Sequence, residues 1–206
     1  MSMAPRSSGR ARRGKEEADE APVVIGLTGA SGAPIALRVL EGLHAARVPV
    51  ELIASESGAL VLREECGKSV EDLRPLVRAI HGEKDFMSRV ASGSTPTRGM
   101  AIVPCSSNTL AKIAHGMGDT LVTRAAHVHL KERRPLVLVP RETPLSIFTL
   151  RNMAAVTEAG AFLLIASPPY YLKDRSLEAQ VGYLAGKVLD HLGVTHSLYR
   201  GWKADE

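Results

Sequence analysis

The sequence has few of the residues that would place it in several common functional classes. Only two of its 206 residues are cysteines, Cys66 and Cys105, and they form neither a CxxC pair nor a metal-binding spacing. Aromatic residues make up 4% of the chain and the net charge is only +4, which disfavours nucleic acid binding. No apolar run approaches the ~18 residues of a membrane-spanning helix. These absences favour a reduced, cytoplasmic protein that binds neither nucleic acid nor a membrane.

The histidines and cysteines give no sign of a reactive or metal-binding centre. His115, His127 and His129 fall on predicted helices without a set of partner ligands, so no metal is expected. Cys105 has no activating neighbour in the sequence and is expected to be a buried thiol rather than a nucleophile.

The composition of the first 21 residues differs from that of the rest. Arginine and lysine nearly balance the acidic residues there, and no apolar stretch resembles the core of a signal peptide. We predict a disordered polar tail over 1–21, followed by a single domain over 22–206.

From Pro22 onward, segments typical of strands alternate with segments typical of helices. Five strands are predicted, at 23–28, 49–54, 100–104, 136–140 and 161–166. The segment 69–81 is predicted to be a helix starting at the capping sequence Ser69-Val-Glu-Asp72, and 83–98 a long polar loop. This alternation indicates an α/β fold with a mainly parallel sheet between two layers of helices.

Two predicted strands end in loops that are suited to a phosphate group. The first leads into Gly26-Leu-Thr-Gly-Ala-Ser-Gly32, and the third into Cys105-Ser-Ser-Asn-Thr109. Glycines let a ligand approach the backbone, and the following helix N-terminus attracts an anion. The alternative is that the glycines serve only helix packing and that Ser106 or Ser107 only caps a helix.

Glu56 leaves a dinucleotide cofactor open. It follows the second strand, where a ribose-binding acid often lies, but the glycine spacing is not GxGxxG. Glu56 can equally be an acidic residue in the first turn of the next helix.

The fourth strand delivers Arg141 and Glu142 to the same edge of the sheet, where ligands bind in such folds. Arginine can hold a phosphate or an anionic ring, and glutamate can move a proton. The alternative is a surface ion pair.

The basic residues of the preceding helix form either a solvated face or part of a neighbouring subunit's phosphate site; they are Arg124, Lys131, Arg133 and Arg134.

Taken together and in order, these motifs resemble the UbiX-type flavin prenyltransferase family. The matching pieces are Thr28-Gly-Ala-Ser-Gly-Ala33, Ser55, Ala91-Ser-Gly-Ser94, Pro104-Cys-Ser106 with Thr109, Arg124-Ala-Ala126, Leu130-Lys-Glu-Arg-Arg-Pro-Leu-Val-Leu-Val-Pro-Arg-Glu-Thr-Pro144 and Tyr170-Tyr171. The resemblance runs from about Val23 to Trp202, and the block over 130–144 is its most specific part.

The resemblance implies a Rossmann-type, flavodoxin-like three-layer sandwich that binds FMN. It implies a metal-independent enzyme that moves a dimethylallyl group from dimethylallyl phosphate to reduced FMN. The prenylated FMN then serves a UbiD-type decarboxylase. A homo-oligomer, typically a dodecamer with active sites at subunit contacts, is also implied.

The resemblance also assigns roles to residues at matching positions. FMN binding is expected of Gly29, Ala30, Ser31, Ser55, Ser106, Ser107, Asn108, Thr109 and Arg141. Binding of the prenyl donor is expected of Arg124, Lys131, Tyr171, Lys187 and Phe86. Catalytic roles are expected of Glu65, Glu142 and Ser31. The chain departs from the usual family pattern by having Lys187 for an arginine, Leu172 for a histidine and Phe86 for a tryptophan.

Two other functions remain open on this fold. A flavin-dependent decarboxylase of the phosphopantothenoylcysteine type would carry a catalytic histidine in the first helix, but His44 lies too late and Asn152-Met153 lacks the expected context. A non-catalytic FMN-binding protein would not need the cations at Arg124, Lys131 and Lys187.

Overall fold

The computed structural model describes residues 21–199, in which six parallel strands form one sheet with helices on both faces. The strands are β1 Val23–Leu27, β2 Val50–Ala54, β3 Ala79–Gly82, β4 Gly99–Cys105, β5 Leu136–Pro140 and β6 Phe162–Leu163. Their order across the sheet is β3-β2-β1-β4-β5-β6, and every neighbouring pair is parallel. The predicted three-layer, Rossmann-type fold is confirmed. The predicted tail, apart from Ala21, lies outside the described residues.

Six α-helices of the described residues pack against the sheet, and a serine or threonine caps the start of five of them. The helices are α1 Ala33–Ala45, α2 Glu56–Cys66, α3 Ser107–Ala114, α4 Leu121–Lys131, α5 Ile147–Glu158 and α6 Leu177–His191. The side chains that accept a hydrogen bond from a backbone N–H of the first turn are Ser55, Ser106, Thr120, Ser146 and Ser176. Each cap satisfies a donor that the helix itself leaves unpaired, so it fixes where the helix begins.

Alternate residues of the strands face two separate hydrophobic cores. On β1, Val23, Ile25 and Leu27 pack with α1 and α6, whereas Val24 packs with α3, α4 and α5 on the other face of the sheet. A strand covered on both faces needs apolar residues throughout, which is why β1 is a continuous apolar run. Helices α4 and α6 therefore lie on opposite faces of the sheet.

The segment 69–81 is not the helix that the sequence predicted. The predicted capping bonds form, since the Asp72 N–H donates to Ser69 Oγ at 3.3 Å and the Ser69 N–H donates to Asp72 Oδ2 at 2.7 Å. However, only a short 3₁₀-helix forms, Glu71–Leu76, and the chain then enters β3. Pro75 has no N–H to donate to an α-helix, and the residues that follow pair with β2 instead.

Of the predicted strand over 161–166, only Phe162–Leu163 is a regular strand, but hydrogen bonds to β5 continue beyond it. Beyond β6, the Leu164 N–H donates to the Leu138 carbonyl oxygen at 2.9 Å and the Ala166 N–H to that of Pro140 at 3.0 Å. The chain after Ala166 therefore leaves the sheet beside the end of β5.

His129 on α4 is a buried histidine with a partner at each ring nitrogen. Its Nδ1 lies 2.7 Å from the Ala125 carbonyl oxygen, to which it donates, and its Nε2 lies 2.9 Å from Thr97 Oγ1. Burial lowers the pKa of His129 to about 4; the bond to Ala125 opposes this shift and the charge of Arg134 adds to it. The ring is therefore neutral at pH 7.

We expect this histidine to weaken folding in acid. An unfolded histidine takes up a proton near pH 6.5, whereas folded His129 does so only near pH 4. The free energy of unfolding should fall as the pH drops between these values, by about 3 kcal/mol at most. The His129→Gln variant does not titrate there, so it should lack this part of the loss. Urea unfolding at about pH 7.5 and about pH 4.5 measures the difference; equal losses in the two proteins would contradict the assignment.

Candidate functional site

The strand order reverses between β1 and β4, which in folds of this kind places a crevice at the carboxyl ends of these two strands. Thr28 joins these two ends: its Oγ1 donates to the Pro104 carbonyl oxygen and accepts from the Ser106 N–H, both at 2.8 Å. Thr28 is buried, so this bridge is shielded from water. In open parallel sheets, such a switch point is where ligands bind.

The loop after β1 lies tightly against the start of α2. A Cβ atom at Gly29 would lie 2.5 Å from Ser57 Oγ, so a larger residue would not fit there without movement. Ser55 caps α2 by accepting from the Gly58 N–H at 3.0 Å, and its Oγ lies 3.2 Å from Ser57 Oγ. Ala30 follows with its N–H donating to the Thr28 carbonyl oxygen at 2.9 Å. The two loops thus form one wall of the crevice.

The carboxylate of Glu65, a residue of α2, binds the N-terminus of α1. Its Oε2 accepts hydrogen bonds from the backbone N–H groups of Gly32, at 2.9 Å, and Ala33, at 2.8 Å. Burial opposes its ionisation, but bonds from Ser31 and from these N–H groups, with the charge of Arg141, hold the pKa of Glu65 below its ordinary value. The N–H groups that the sequence offered to a phosphate therefore bind a carboxylate of the chain itself.

Helix α3 forms the other wall of the crevice. Ser106 Oγ accepts from the Thr109 N–H at 3.2 Å and lies 2.9 Å from Thr109 Oγ1. Ser107 and Asn108 are exposed in the first turn. A helix N-terminus with polar side chains and backbone N–H groups suits an anionic ligand.

Arg141 and Glu142 follow directly after β5. Both are exposed, and they link the two walls of the crevice. Glu142 Oε2 accepts from Ser107 Oγ at 3.0 Å, while the charge of Arg141 is close enough to lower the pKa of Glu65. Two strand-end loops and one strand end that the sequence treated separately therefore belong to one crevice. Its hydroxyl, amide and guanidinium groups are of the kinds that hold a phosphate and a polar flavin ring.

Arg124 and Lys131, the two basic residues of α4 expected to bind the prenyl donor, lie at opposite ends of the helix. The Leu121 N–H donates to the Glu83 carbonyl oxygen at 2.7 Å, so α4 begins near the carboxyl end of β3. Arg124 is exposed in the first turn, whereas Lys131 ends the helix, just before β5 begins. A helix rises about 1.5 Å per residue, which puts Lys131 about 10 Å further from the crevice than Arg124.

The residues predicted on and before α6 lie on the opposite face of the sheet from α4. Tyr171 Oη lies 3.4 Å from Tyr183 Oη, and the two rings meet edge to face. Lys187 lies one turn beyond Tyr183 on the same helix. Within one copy of the chain, Lys187 and Lys131 are therefore not brought together.

Phe86 lies on the loop after β3 and is 45% exposed. The buried Glu51 carboxylate holds the base of this loop: it contacts the Arg78 guanidinium and lies 2.6 Å from His81 Nε2. His81 Nδ1 in turn lies 3.1 Å from Ser88 Oγ. The loop that carries Phe86 is thus tied down on both sides of that residue.

Sequence reasoning missed two residues that shape the site, Thr28 as the bridge between β1 and β4, and Glu83. Glu83 Oε2 accepts from the Glu56 N–H at 3.1 Å, while its carbonyl oxygen accepts from Leu121, so it joins the starts of α2 and α4. Glu56 itself lies in the first turn of α2, as one of its two interpretations proposed. Glu83 could have been recognised as a polar residue directly after a strand. It was not, because the sequence did not predict the strand β3 that precedes it.

Within residues 21–199, no helix is both long and apolar enough to cross a membrane. Over the same range, no group of three or more histidine, cysteine or acidic side chains is placed to hold a metal ion. The Cys105 thiol is buried, and burial raises its pKa to about 12.

Comparison with known sequences gives a consistent result. The family model described as Flavoprotein matches residues 11–181. The flavin prenyltransferase UbiX of Deinococcus radiodurans is 45% identical over 184 residues, which cover 89% of this chain and 94% of that protein.

Two solved structures share the fold at similar identity. AnUbiX (PadA1), in complex with FMN and dimethylallyl pyrophosphate, has a TM-score of 0.87 at 38% identity, covering 89% of this chain and 98% of its own. A dodecameric FMN-dependent UbiX-like decarboxylase from Escherichia coli O157:H7 has a TM-score of 0.85 at 37% identity, covering 88% and 99%.

Proposed function

The chain belongs to the UbiX-type flavin prenyltransferase family, and on that premise we propose that it transfers a dimethylallyl group from dimethylallyl phosphate to reduced FMN. The observation that carries this proposal is the crevice in which Arg141 and Glu142 meet Ser107 and Glu65. It combines groups that suit a flavin phosphate with two carboxylates. A protein that only carried FMN would have no need of those carboxylates beside the flavin.

Reduced FMN, when bound, supplies the nucleophilic flavin atoms. The residues proposed to hold it are Gly29, Ala30, Ser31, Ser55, Ser106, Ser107, Asn108, Thr109 and Arg141. Arg141 and the first turn of α3 supply positive charge and hydrogen-bond donors, as a phosphate and a reduced, electron-rich ring require.

The cations and the aromatic residues are proposed to act on the prenyl donor. As its C–O bond breaks, negative charge grows on the leaving phosphate, and cations placed around it stabilise that charge. Arg124, Lys131 and Lys187 supply positive charge, and Tyr171 supplies a hydroxyl donor. Phe86 offers an aromatic face to the electron-poor allyl group.

Glu142 is proposed to accept the proton that must leave during the transfer. Its bond from Ser107 leaves the other carboxylate oxygen for this role. Glu65 and Ser31 form a second proton-holding pair at the N-terminus of α1. Because Glu65 is held ionised there, its negative charge also faces the positive charge that develops on an allyl group.

The phosphate site requires more than one copy of the chain. Lys131 lies toward the amino ends of the strands, and Lys187 lies on the opposite face of the sheet from α4. One phosphate group cannot reach both within a single copy. We therefore propose a homo-oligomer in which neighbouring copies complete each site, as a dodecamer like that of the E. coli relative would allow.

We propose that the protein supplies its product to another enzyme of the cytoplasm. Prenylated FMN is proposed to pass to a UbiD-type decarboxylase, which would use it as a cofactor. The scarcity of cysteine and the absence of a long apolar run support a cytoplasmic location.

The test is anaerobic incubation of the purified chain with reduced FMN and dimethylallyl phosphate, followed by mass spectrometry of the flavin. We expect a flavin heavier by one prenyl unit, and none when dimethylallyl alcohol replaces the phosphate, because hydroxide is a much poorer leaving group than phosphate. A flavin of unchanged mass would contradict the proposed transfer and favour the decarboxylase or FMN-carrier alternatives.

A further inference from the structure

Lys187 is paired within the chain to the carboxylate of Asp190, which has two further partners. Lys187 Nζ lies 3.3 Å from Asp190 Oδ2. The same oxygen accepts from Tyr199 Oη at 2.5 Å, and the other oxygen lies 3.1 Å from His196 Nε2. Three donors therefore converge on the Asp190 carboxylate.

The segment after α6 folds back to build this arrangement. A Cβ atom at Gly186 would lie 2.5 Å from Tyr199 Cδ1 and 2.8 Å from His196 Cε1, so glycine makes room for both rings beside Lys187. The Leu198 N–H donates to His196 Nδ1 at 3.1 Å, which leaves the proton of a neutral ring on Nε2, facing Asp190. The carboxylate is thus fixed by the fold rather than drawn in by the lysine.

The pairing reduces the charge that Lys187 presents. Burial opposes the charged form of Lys187, but the bonds and charges of Asp190 and Tyr199 raise its pKa, so it stays protonated. Burial also opposes ionisation of Asp190, but its three donors lower its pKa, so it stays ionised. A phosphate that binds Lys187 therefore meets a fixed negative charge one helical turn away.

We propose that Asp190 is a specificity residue that makes the prenyl-donor site prefer a monophosphate to a diphosphate. This inference rests on the proposed function, in which Lys187 contacts the donor phosphate. Asp190 holds Lys187 in place and subtracts one charge from the site. A diphosphate carries more negative charge than a monophosphate, so the same carboxylate repels it more strongly.

The expected size of the effect follows from Coulomb's law. A charge about 6 Å from the phosphate, in an environment of effective dielectric about 20 that is partly screened by water, changes relative binding by about tenfold for each extra unit of ligand charge. The contribution of Asp190 should appear as a change in the ratio of two affinities. A carboxylate that only stabilised α6 would alter both affinities alike.

The experiment measures the affinity of the FMN-loaded protein for dimethylallyl phosphate and dimethylallyl diphosphate by isothermal titration calorimetry. In Asp190→Asn, the ratio of diphosphate to monophosphate affinity should rise about tenfold over that of the unmodified chain. Asp190→Glu keeps the charge and should leave the ratio unchanged within about twofold. In a Lys187→Ala background, Asp190→Asn should still raise the ratio, because the carboxylate repels the ligand directly.

Two outcomes separate the inference from the function on which it rests. If the unmodified chain prenylates FMN but Asp190→Asn shifts both affinities equally, the specificity role of Asp190 is overturned and the proposed function stands. If the unmodified chain makes no prenylated flavin, the proposed function fails and this inference fails with it. A change in ratio as large in Asp190→Glu as in Asp190→Asn would also overturn it, because charge would then not be the cause.

Discussion

Replacing Glu142 by glutamine is expected to lower the rate of flavin prenylation about 10²–10⁴-fold while leaving FMN bound. The amide keeps the shape of the side chain and can still accept the bond from Ser107. It cannot accept a proton, so the step that removes one loses its base. Single-turnover mass spectrometry of the flavin measures the rate, and a fluorescence titration measures FMN affinity.

Glu158→Gln is the matched control, since it makes the same chemical change on an exposed residue at the end of α5. It should leave the rate unchanged. A loss of less than about tenfold in Glu142→Gln would mean that the released phosphate removes the proton.

The same Glu142→Gln variant also tests whether sites are shared between copies. Refolding it together with Lys131→Ala should restore activity to about a quarter of the sites if each site takes these two residues from different copies.

Replacing Arg141 by alanine is expected to weaken FMN binding about 10- to 150-fold, the usual effect of losing a hydrogen bond to a charged group. Arg141 leaves the end of β5 exposed to the crevice, and its charge already lowers the pKa of Glu65. Its loss therefore removes the guanidinium that we place against the flavin. FMN titration at fixed ionic strength measures the change.

Arg151→Ala, which removes an exposed arginine of α5, is the control for the loss of one positive charge. Comparing the FMN affinities of Arg141→Ala and Glu142→Gln separates the two roles. We expect weak FMN binding only in the arginine variant. Equal affinities in these two variants would contradict the assignment of Arg141 to FMN and Glu142 to proton transfer.

Most of the sheet was predictable because its strands are recognisable locally. The bounds of β5 agree with the predicted 136–140, since five apolar residues between a charged helix end and a polar turn leave little ambiguity. The strand β3 was missed because it is an edge strand of only four residues, none of them fully buried, so it has no apolar run to reveal it. Arg78, just before β3, and His81 within it both contact the buried carboxylate of Glu51, a pairing between distant residues that no local periodicity reveals.

The site was predictable only in part, for a related reason. The carboxyl ends of parallel strands share one edge, so the meeting of Ser107 with Glu142 followed from the strand pattern. The placement of Glu65 on the α1 N-terminus did not, because it brings together groups 32 and 33 residues apart on different helices. The family resemblance named Glu65, but the geometry shows what it binds.

The sequence by itself determined the family, the layered fold and the types of residue available for the chemistry. These follow from short apolar runs, turn residues and motifs, all of which are local. Only the tertiary structure decided which of the cations share a face, that Lys131 and Lys187 do not meet within one copy, and that Lys187 is paired with Asp190. Such contacts depend on how helices pack against the two faces of the sheet and on where the chain after α6 returns. Those are long-range arrangements, set by the burial of both cores together.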